Sequence, residues 1–184
     1  MKTIICLNGP PKSGKDGECT ISSILFQCGF ELYKFSDPIR KSVCSLLNIE
    51  YSEFDKSKSK ILSIKNNYTI RDLTIDICEE IIKKKINKYW FAKNLIKRLN
   101  PKSNKIVISD LGFDVELKQV IKFAKKHNYR VLVWQIYRPG YTFENDSRNY
   151  INNSAVETIK IKNNGTLKDL KVKVNKKLNK LKII

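Results

Sequence analysis

The chain has 184 residues, 36 of them Lys or Arg against 18 Asp or Glu, for a formal net charge of +18. At 41% hydrophobic and 10% aromatic it is too apolar for a disordered tail. No stretch approaches the ~18 unbroken apolar residues of a spanning helix, which leaves one domain of ordinary size with a core of its own.

In chain order, the apolar run Thr3 to Leu7 predicts a buried strand running into a Gly-Pro-Pro loop. The run is too short for a secretory leader, and no small-residue cleavage site follows it, so cytoplasmic residence is expected. A helix is expected from Lys15 to Cys28, with Ile21, Ile24, Leu25 and Cys28 inward, then a short strand from Glu31 to Phe35. Ser36-Asp37-Pro38 starts a helix whose apolar stripe is Ile39, Val43, Leu46 and Leu47. Asp55 to Asn67 reads as a polar mobile loop or insertion. Thr69-Ile70-Arg71-Asp72 is a capping box opening a helix with Leu73, Ile77 and Ile81 on one face.

Trp90 to Leu99 is an amphipathic helix ended by Asn100-Pro101. A buried strand follows from Lys105 to Ser109, a helix from Asp114 to Lys126 and a strand from Arg130 to Ile136. After a polar loop, Val156 to Ile161 is the last strand. Thr166-Leu167-Lys168-Asp169 caps a final helix with Leu167, Leu170, Val174, Leu178 and Leu181 at helical spacing. Strands alternating with helices predict a mostly parallel sheet covered on both faces, in a single α/β domain.

The five cysteines (Cys6, Cys19, Cys28, Cys44, Cys78) form no C-x-x-C pair, so neither a disulfide framework nor a cysteine zinc site is suggested. The one histidine, His127, falls late in a helix, where a surface or helix-end role is expected instead of catalysis. Lysines are spread along the chain, as in Lys83-Lys84-Lys85 and Lys176-Lys177, with no aromatic residues interleaved at base-stacking intervals. Beside abundant Asn and Ile they read as compositional bias on solvated helix faces, not as a nucleic-acid groove.

Gly9-Pro10-Pro11-Lys12-Ser13-Gly14-Lys15-Asp16 matches G-x-x-x-x-G-K between a strand and a helix. Glycines let backbone wrap a phosphate, successive N–H groups point inward, and the helix start adds positive potential. Lys15 is placed to reach the β- and γ-phosphates, with Lys12 and Ser13 as further donors. Asp16 stands where such loops usually carry Ser or Thr. It reads either as a carboxylate near Mg²⁺, directly or through water, or as a first-turn helix acid. Asp110 ends a strand, where open α/β sheets place ligands. It reads as a group orienting Mg²⁺ or an acceptor phosphate, or as a loop cap. Arg138 follows the next strand, and Arg148 lies in the polar loop Tyr141 to Asn153, the position of a lid.

These motifs, in their order, resemble the deoxynucleoside monophosphate kinases of bacteriophages and large DNA viruses over roughly Lys2 to Leu178. The matching segments are Ser13-Gly14-Lys15-Asp16, Asp37-Pro38-Ile39-Arg40, Arg71 followed by Trp90, Ser109-Asp110, Arg138-Pro139-Gly140, and Asn163-Asn164-Gly165-Thr166-Leu167 with Leu170. The resemblance implies a P-loop NTPase-like three-layer sandwich with a helical monophosphate-binding part at about 37–100 and a lid-like loop at about 138–153. It implies phosphoryl transfer from Mg·ATP to a deoxynucleoside 5′-monophosphate. Gly9, Lys12, Ser13, Gly14, Lys15 and Asp16 would hold the donor, and Asp16 and Asp110 would sit near the metal. Asp37, Arg40, Arg71, Trp90 and Asp110 would take the acceptor, while Arg138 and Arg148 would neutralise charge. Its partners are then small nucleotides, with no membrane; the setting is cytoplasmic (the host's, for a viral protein), and dimers are common among such kinases.

Three departures stand out: Gly17 where the family has Thr, Gly112 where it has an arginine, and Asp146-Ser147-Arg148-Asn149 in place of its lid signature. Arg148 is the expected substitute for the missing arginine. Two other readings share the loop: a phosphomevalonate-kinase-like enzyme, and a non-catalytic P-loop protein that binds nucleotide or nucleic acid.

Overall fold

The computed structural model describes residues 1–15 and 20–184; the sequence readings that fall on Asp16, Gly17 and Cys19 lie outside the described residues. The chain divides into two compact units, one formed by Met1–Lys34 with Leu95–Ile184 and the other by Phe35–Asn94.

The first unit contains β1 (Lys2–Asn8), α1 (Ile21–Gln27) and β2 (Glu31–Tyr33). The second unit contains α2 (Asp37–Leu46), α3 (Phe54–Ser57), the hairpin strands β3 (Ile61–Ser63) and β4 (Tyr68–Thr69), and α4 (Ile70–Asp76), continued by a π-helical stretch, Ile77–Ile86. The unit boundary falls within α5 (Trp90–Arg98). The first unit then resumes with β5 (Lys105–Ile108), α6 (Asp114–His127), β6 (Tyr129–Tyr137), β7 (Glu157–Lys162) and α7 (Leu167–Lys180).

Five strands form one sheet in the order β2-β5-β1-β6-β7, every pair parallel. The apolar run of β1 explains its central place: Ile4, Ile5, Cys6 and Leu7 are fully buried, as a strand covered on both faces must be. Cys6 stands opposite Ile108 on one side and Val133 on the other. Strand alternation sends Ile5, Leu7, Val107, Leu132, Trp134 and Ile136 to one face. There they pack with Ile21, Ile24 and Leu25 of α1 and Leu170, Val174 and Leu178 of α7. From β1 the chain moves across β5 to reach β2, whereas from β5 it moves across β1 to reach β6. Right-handed crossovers in opposite directions put α1 and α6 on opposite faces, which makes three layers. Burial pushes the Cys6 thiol up, with Glu116 adding to the effect, so this cysteine behaves as a core residue. Among the described residues, Cys6, Cys28, Cys44 and Cys78 form no disulfide, and His127 is the last residue of α6, its ring 4.5 Å from that of Phe123. No helix among the described residues is long and apolar enough to cross a membrane.

Several local expectations need correcting. The helix expected from Lys15 starts at Ile21 instead, because Thr20 and Ser23 close a capping arrangement there, with the Thr20 N–H donating to Ser23 Oγ at 2.9 Å. Lys15 is therefore a loop residue and Cys28 the C-cap. The segment Asp55 to Asn67, expected as a mobile loop or insertion, holds most of α3, strand β3 and the turn that leads into β4. Asn67 adopts the left-handed conformation (φ 52°) that turns the chain between the two strands. Leu46 is exposed, not inward, since the buried arc of α2 is centred on Ile39, Val43 and Cys44. Beyond α4 the turns widen, so the residue buried after Ile77 is Ile82, five positions on, and Ile81 faces solvent.

Candidate functional site

Four loops leave the C-terminal ends of β1, β5, β6 and β7 in the first unit, and the direction of chain progress reverses about β1. This is the position at which open α/β sheets bind ligands. The loop after β1 is wound tightly. Lys12 and Gly14 both have positive φ (60° and 89°), and Ser13 N–H donates to Pro10 O at 3.3 Å. Lys15 is almost completely buried and its Nζ donates to Pro10 O at 2.9 Å, so the ammonium lies within the loop's own curve. Ser13 Oγ is fully buried with no hydrogen-bond partner. A Cβ at Gly9 would stand 2.8 Å from that oxygen and 3.0 Å from Ile136 O, so only glycine fits there without a shift. The first amides of α1 bind the loop itself, Ile21 N–H to Gly14 O and Ser22 N–H to Lys15 O. They are therefore not donors held open for a ligand, a correction to the helix-start expectation.

Asn8, the last residue of β1, is fully buried and joins three segments. Its Nδ2 donates to Leu111 O at 3.1 Å and to Asn149 O at 3.2 Å, and its Oδ1 accepts from Ile151 N at 3.0 Å. Gln135 of β6 donates to Ile151 O at 2.9 Å, and Tyr150 OH donates to Ile136 O at 2.9 Å. Tyr137 and Tyr150 stack with centroids 4.3 Å apart, and Phe143 meets Tyr150 edge-on. Asn153 reaches Asp114 at 2.8 Å. The lid-like loop is thus fixed at its second half by buried amides and stacked rings. None of these anchors was assigned from the sequence. The one signal available was an amide closing or interrupting an apolar strand, as in Asn8 and Gln135.

Arg148 projects from that loop across the one after β5. It grips Asp146 with two parallel bonds, Nε to Oδ1 at 2.8 Å and Nη2 to Oδ2 at 2.6 Å. A Cβ on Gly112 would lie 2.6 Å from Arg148 Cδ and 3.0 Å from Cγ, so the arginine stem fills the space that a side chain at 112 would need. Asp146, and behind it Asp110 and Glu116, push the Arg148 pKa up. Glu116 itself accepts the N–H groups of Gly112 and Phe113 at 3.0 and 3.1 Å, which fixes that turn. Asp110 is half-buried at the end of β5. Arg138 donates to Lys12 O at 3.1 Å and lies over the Tyr141 ring.

Asp37, Arg40, Arg71 and Trp90 belong to the other unit. Arg40 pairs with Asp55 at 3.3 Å and lies 5.0 Å over the Phe54 ring, while Asp37 accepts from Tyr51 OH. Arg71 is exposed, with its backbone N–H bound to Lys58 O at 2.8 Å; Trp90 is half-buried, edge-on to Phe91. No group of three or more His, Cys, Asp or Glu forms a metal cage among the described residues.

No protein-family model matches the sequence, and no curated protein matches it. Solved structures do. A gluconokinase from Sinorhizobium meliloti 1021 superposes with a TM-score of 0.52 at 13% identity, over 98% of this chain and 93% of that one. A sugar kinase from Janibacter sp. HTCC2649 gives 0.51 at 10% identity, over 100% and 96%. At such identities the likeness is one of fold: the chain has the three-layer α/β architecture that these kinases have.

Proposed function

We propose that this chain is an ATP-dependent kinase that transfers the γ-phosphoryl group of Mg·ATP to a deoxynucleoside 5′-monophosphate. One observation carries the reading: a G-x-x-x-x-G-K loop at the switch point of a parallel sheet, wound by Lys12 and Gly14, with a buried lysine and a buried, unpartnered serine hydroxyl. A buried hydroxyl without a partner costs roughly 1–3 kcal/mol, and a phosphate oxygen would satisfy Ser13 Oγ. The fold shared with kinases and the ordered motifs of the deoxynucleotide family support the same choice.

Lys15 would exchange Pro10 O for the β- and γ-phosphate oxygens, with Lys12 and the Gly14 amide around them. Mg²⁺ would be held by the phosphates with Asp16 or Asp110, directly or through water, and supplies neutralisation of the developing charge. Arg40 and Arg71, with Asp37 and Trp90, are assigned to the acceptor. The acceptor's phosphate oxygen is already anionic, so it attacks the γ-phosphorus without a general base. The bond to the bridging oxygen breaks and ADP leaves. Catalysis is then positioning and electrostatics, with Arg138 and Arg148 countering the charge. The scarcity of histidine fits such a reaction.

The test is ADP release with Mg·ATP across dAMP, dGMP, dCMP, dTMP, dUMP, hydroxymethyl-dCMP and phosphomevalonate. Turnover with a deoxynucleotide that Lys15→Ala abolishes is the expected result. Turnover with phosphomevalonate alone would move the chain to a different acceptor class. Silence throughout, with salt-sensitive DNA binding, would overturn the kinase reading.

A further inference from the structure

The phosphate-binding loop is held from outside by two side chains that belong to the ends of β6 and β7. Arg138 Nη1 donates to Lys12 O at 3.1 Å, and Asn163 Nδ2 donates to Ser13 O at 2.9 Å, across 150 residues of sequence. Asn163 is positioned by the sheet itself. Its N–H bonds Tyr137 O at 2.7 Å, one step beyond the last β6–β7 pair, Tyr137 with Lys162. The amide lies so close that a Cβ on Gly14 would stand 2.3 Å from Asn163 Nδ2. Glycine at 14 is favoured by its φ of 89°, and a methyl group there would displace the Asn163 amide from Ser13 O.

The consequence follows from peptide geometry. In a trans peptide the C=O of one residue and the N–H of the next point in opposite directions. Arg138 draws Lys12 O outward, so Ser13 N–H turns inward, where it meets Pro10 O. Asn163 draws Ser13 O outward, so Gly14 N–H is aimed the opposite way, to the inner side of the loop. The Gly14 donor is thereby set before any phosphate arrives, while Ser13 N–H is held on Pro10 O.

We infer that Asn163 is a positioning residue for the donor triphosphate, acting through the Ser13–Gly14 peptide by orienting the Gly14 amide. The inference rests on the triphosphate-binding reading of this loop and adds a residue to it. A neutral donor is what the position demands. Aspartate has the same shape but would put a carboxylate against Ser13 O and near the phosphates, so Asn163→Asp should be worse than Asn163→Ala.

The experiment is calorimetric titration of the full chain with Mg·ATP, followed by KM measurements for ATP and for the preferred deoxynucleotide. Asn163→Ala should weaken ATP binding at least ~10-fold, and Asn163→Asp more, with Tm kept within ~4 °C of the parent. The KM for ATP should rise in step while that for the acceptor stays within about two-fold. Asn164→Ala, whose side chain accepts from Lys173 at 2.7 Å, should bind ATP as the parent does. The isosteric Asn163→Asp supplies the answer if Asn163→Ala does not fold. Parent-like ATP binding by the Asn163 variants would overturn the inference while leaving the kinase reading intact. No ATP binding by the parent chain would defeat the reading, and the inference with it.

Discussion

In the sheet unit, the strand interiors Ile4–Leu7 and Leu132–Val133 are sealed from solvent, and buried amides at strand ends join loops far apart in sequence, as Asn8 does with Leu111, Asn149 and Ile151. In the Phe35–Asn94 unit, Leu46, Ile64, Ile75, Ile81 and Ile86 are exposed. Ion pairs there include short-range ones: Lys56 with Glu53, Lys58 with Asp55, Lys83 with Glu79 and Lys84 with Glu80. Exposed pairs at this spacing contribute only about 0.2–0.5 kcal/mol each. The contrast teaches that the loops proposed to bind the donor sit on a deeply buried scaffold, while the unit proposed to take the acceptor is held more weakly and more locally. Amide hydrogen exchange should accordingly be slower in β1 and β6 than in α4 and the stretch after it.

Mutations can break or sharpen that contrast. The largest effect is expected at Lys15: Lys15→Ala should lower kcat/KM at least ~10³-fold, about 4 kcal/mol, in the coupled ADP assay, and a smaller loss would mean that the loop is not the donor site. Asn8→Ala should come next. It leaves three partner groups in two segments without the Asn8 amide and should cost about 3 kcal/mol, read as a lower urea midpoint. Ile64→Ser in the other unit is the matched control, expected within about 0.5 kcal/mol. Equal costs would erase the difference between the units.

Smaller but more diagnostic is the Arg148–Gly112 contact. Arg148→Ala should reduce kcat by at least ~10-fold, about 1.4 kcal/mol. Gly112→Ala should do likewise, because its methyl group would displace the arginine stem. Unchanged kinetics in both would remove Arg148 from the reaction.

The smallest expected effect treats the two units alike. Hydrogen bonds from Thr69 hold the Asp72 carboxyl below the usual aspartate range, and those from Thr166 do the same for Asp169. Both carboxyls therefore favour the folded state above the unfolded-state value and lose that advantage as pH falls through the lowered one. Urea midpoints should drop between about pH 5 and about pH 3. Asp72→Asn and Asp169→Asn should each flatten part of that drop.

Much of the chain was legible from local pattern. The two capping boxes, the strand of Thr3 to Leu7 and the stripe of α7 all follow from spacing, because helix and strand periods and cap chemistry act over a few residues. Patterning failed where the signal was short or the period changed. The β3–β4 hairpin is built from a few residues among lysines, and the π turns moved burial from Ile81 to Ile82.

The sequence by itself determined the loop chemistry, namely which residues stand in G-x-x-x-x-G-K, and the alternation that calls for a parallel sheet. Only the tertiary structure decided the order β2-β5-β1-β6-β7, the passage of Arg148 over Gly112 and the reach of Asn163 to Ser13. The physical reason is range. Periodicity and capping are set by neighbours in the chain. Strand order and these amide contacts are set by burial, crossover handedness and hydrogen-bond satisfaction among segments that meet only when the sheet has formed.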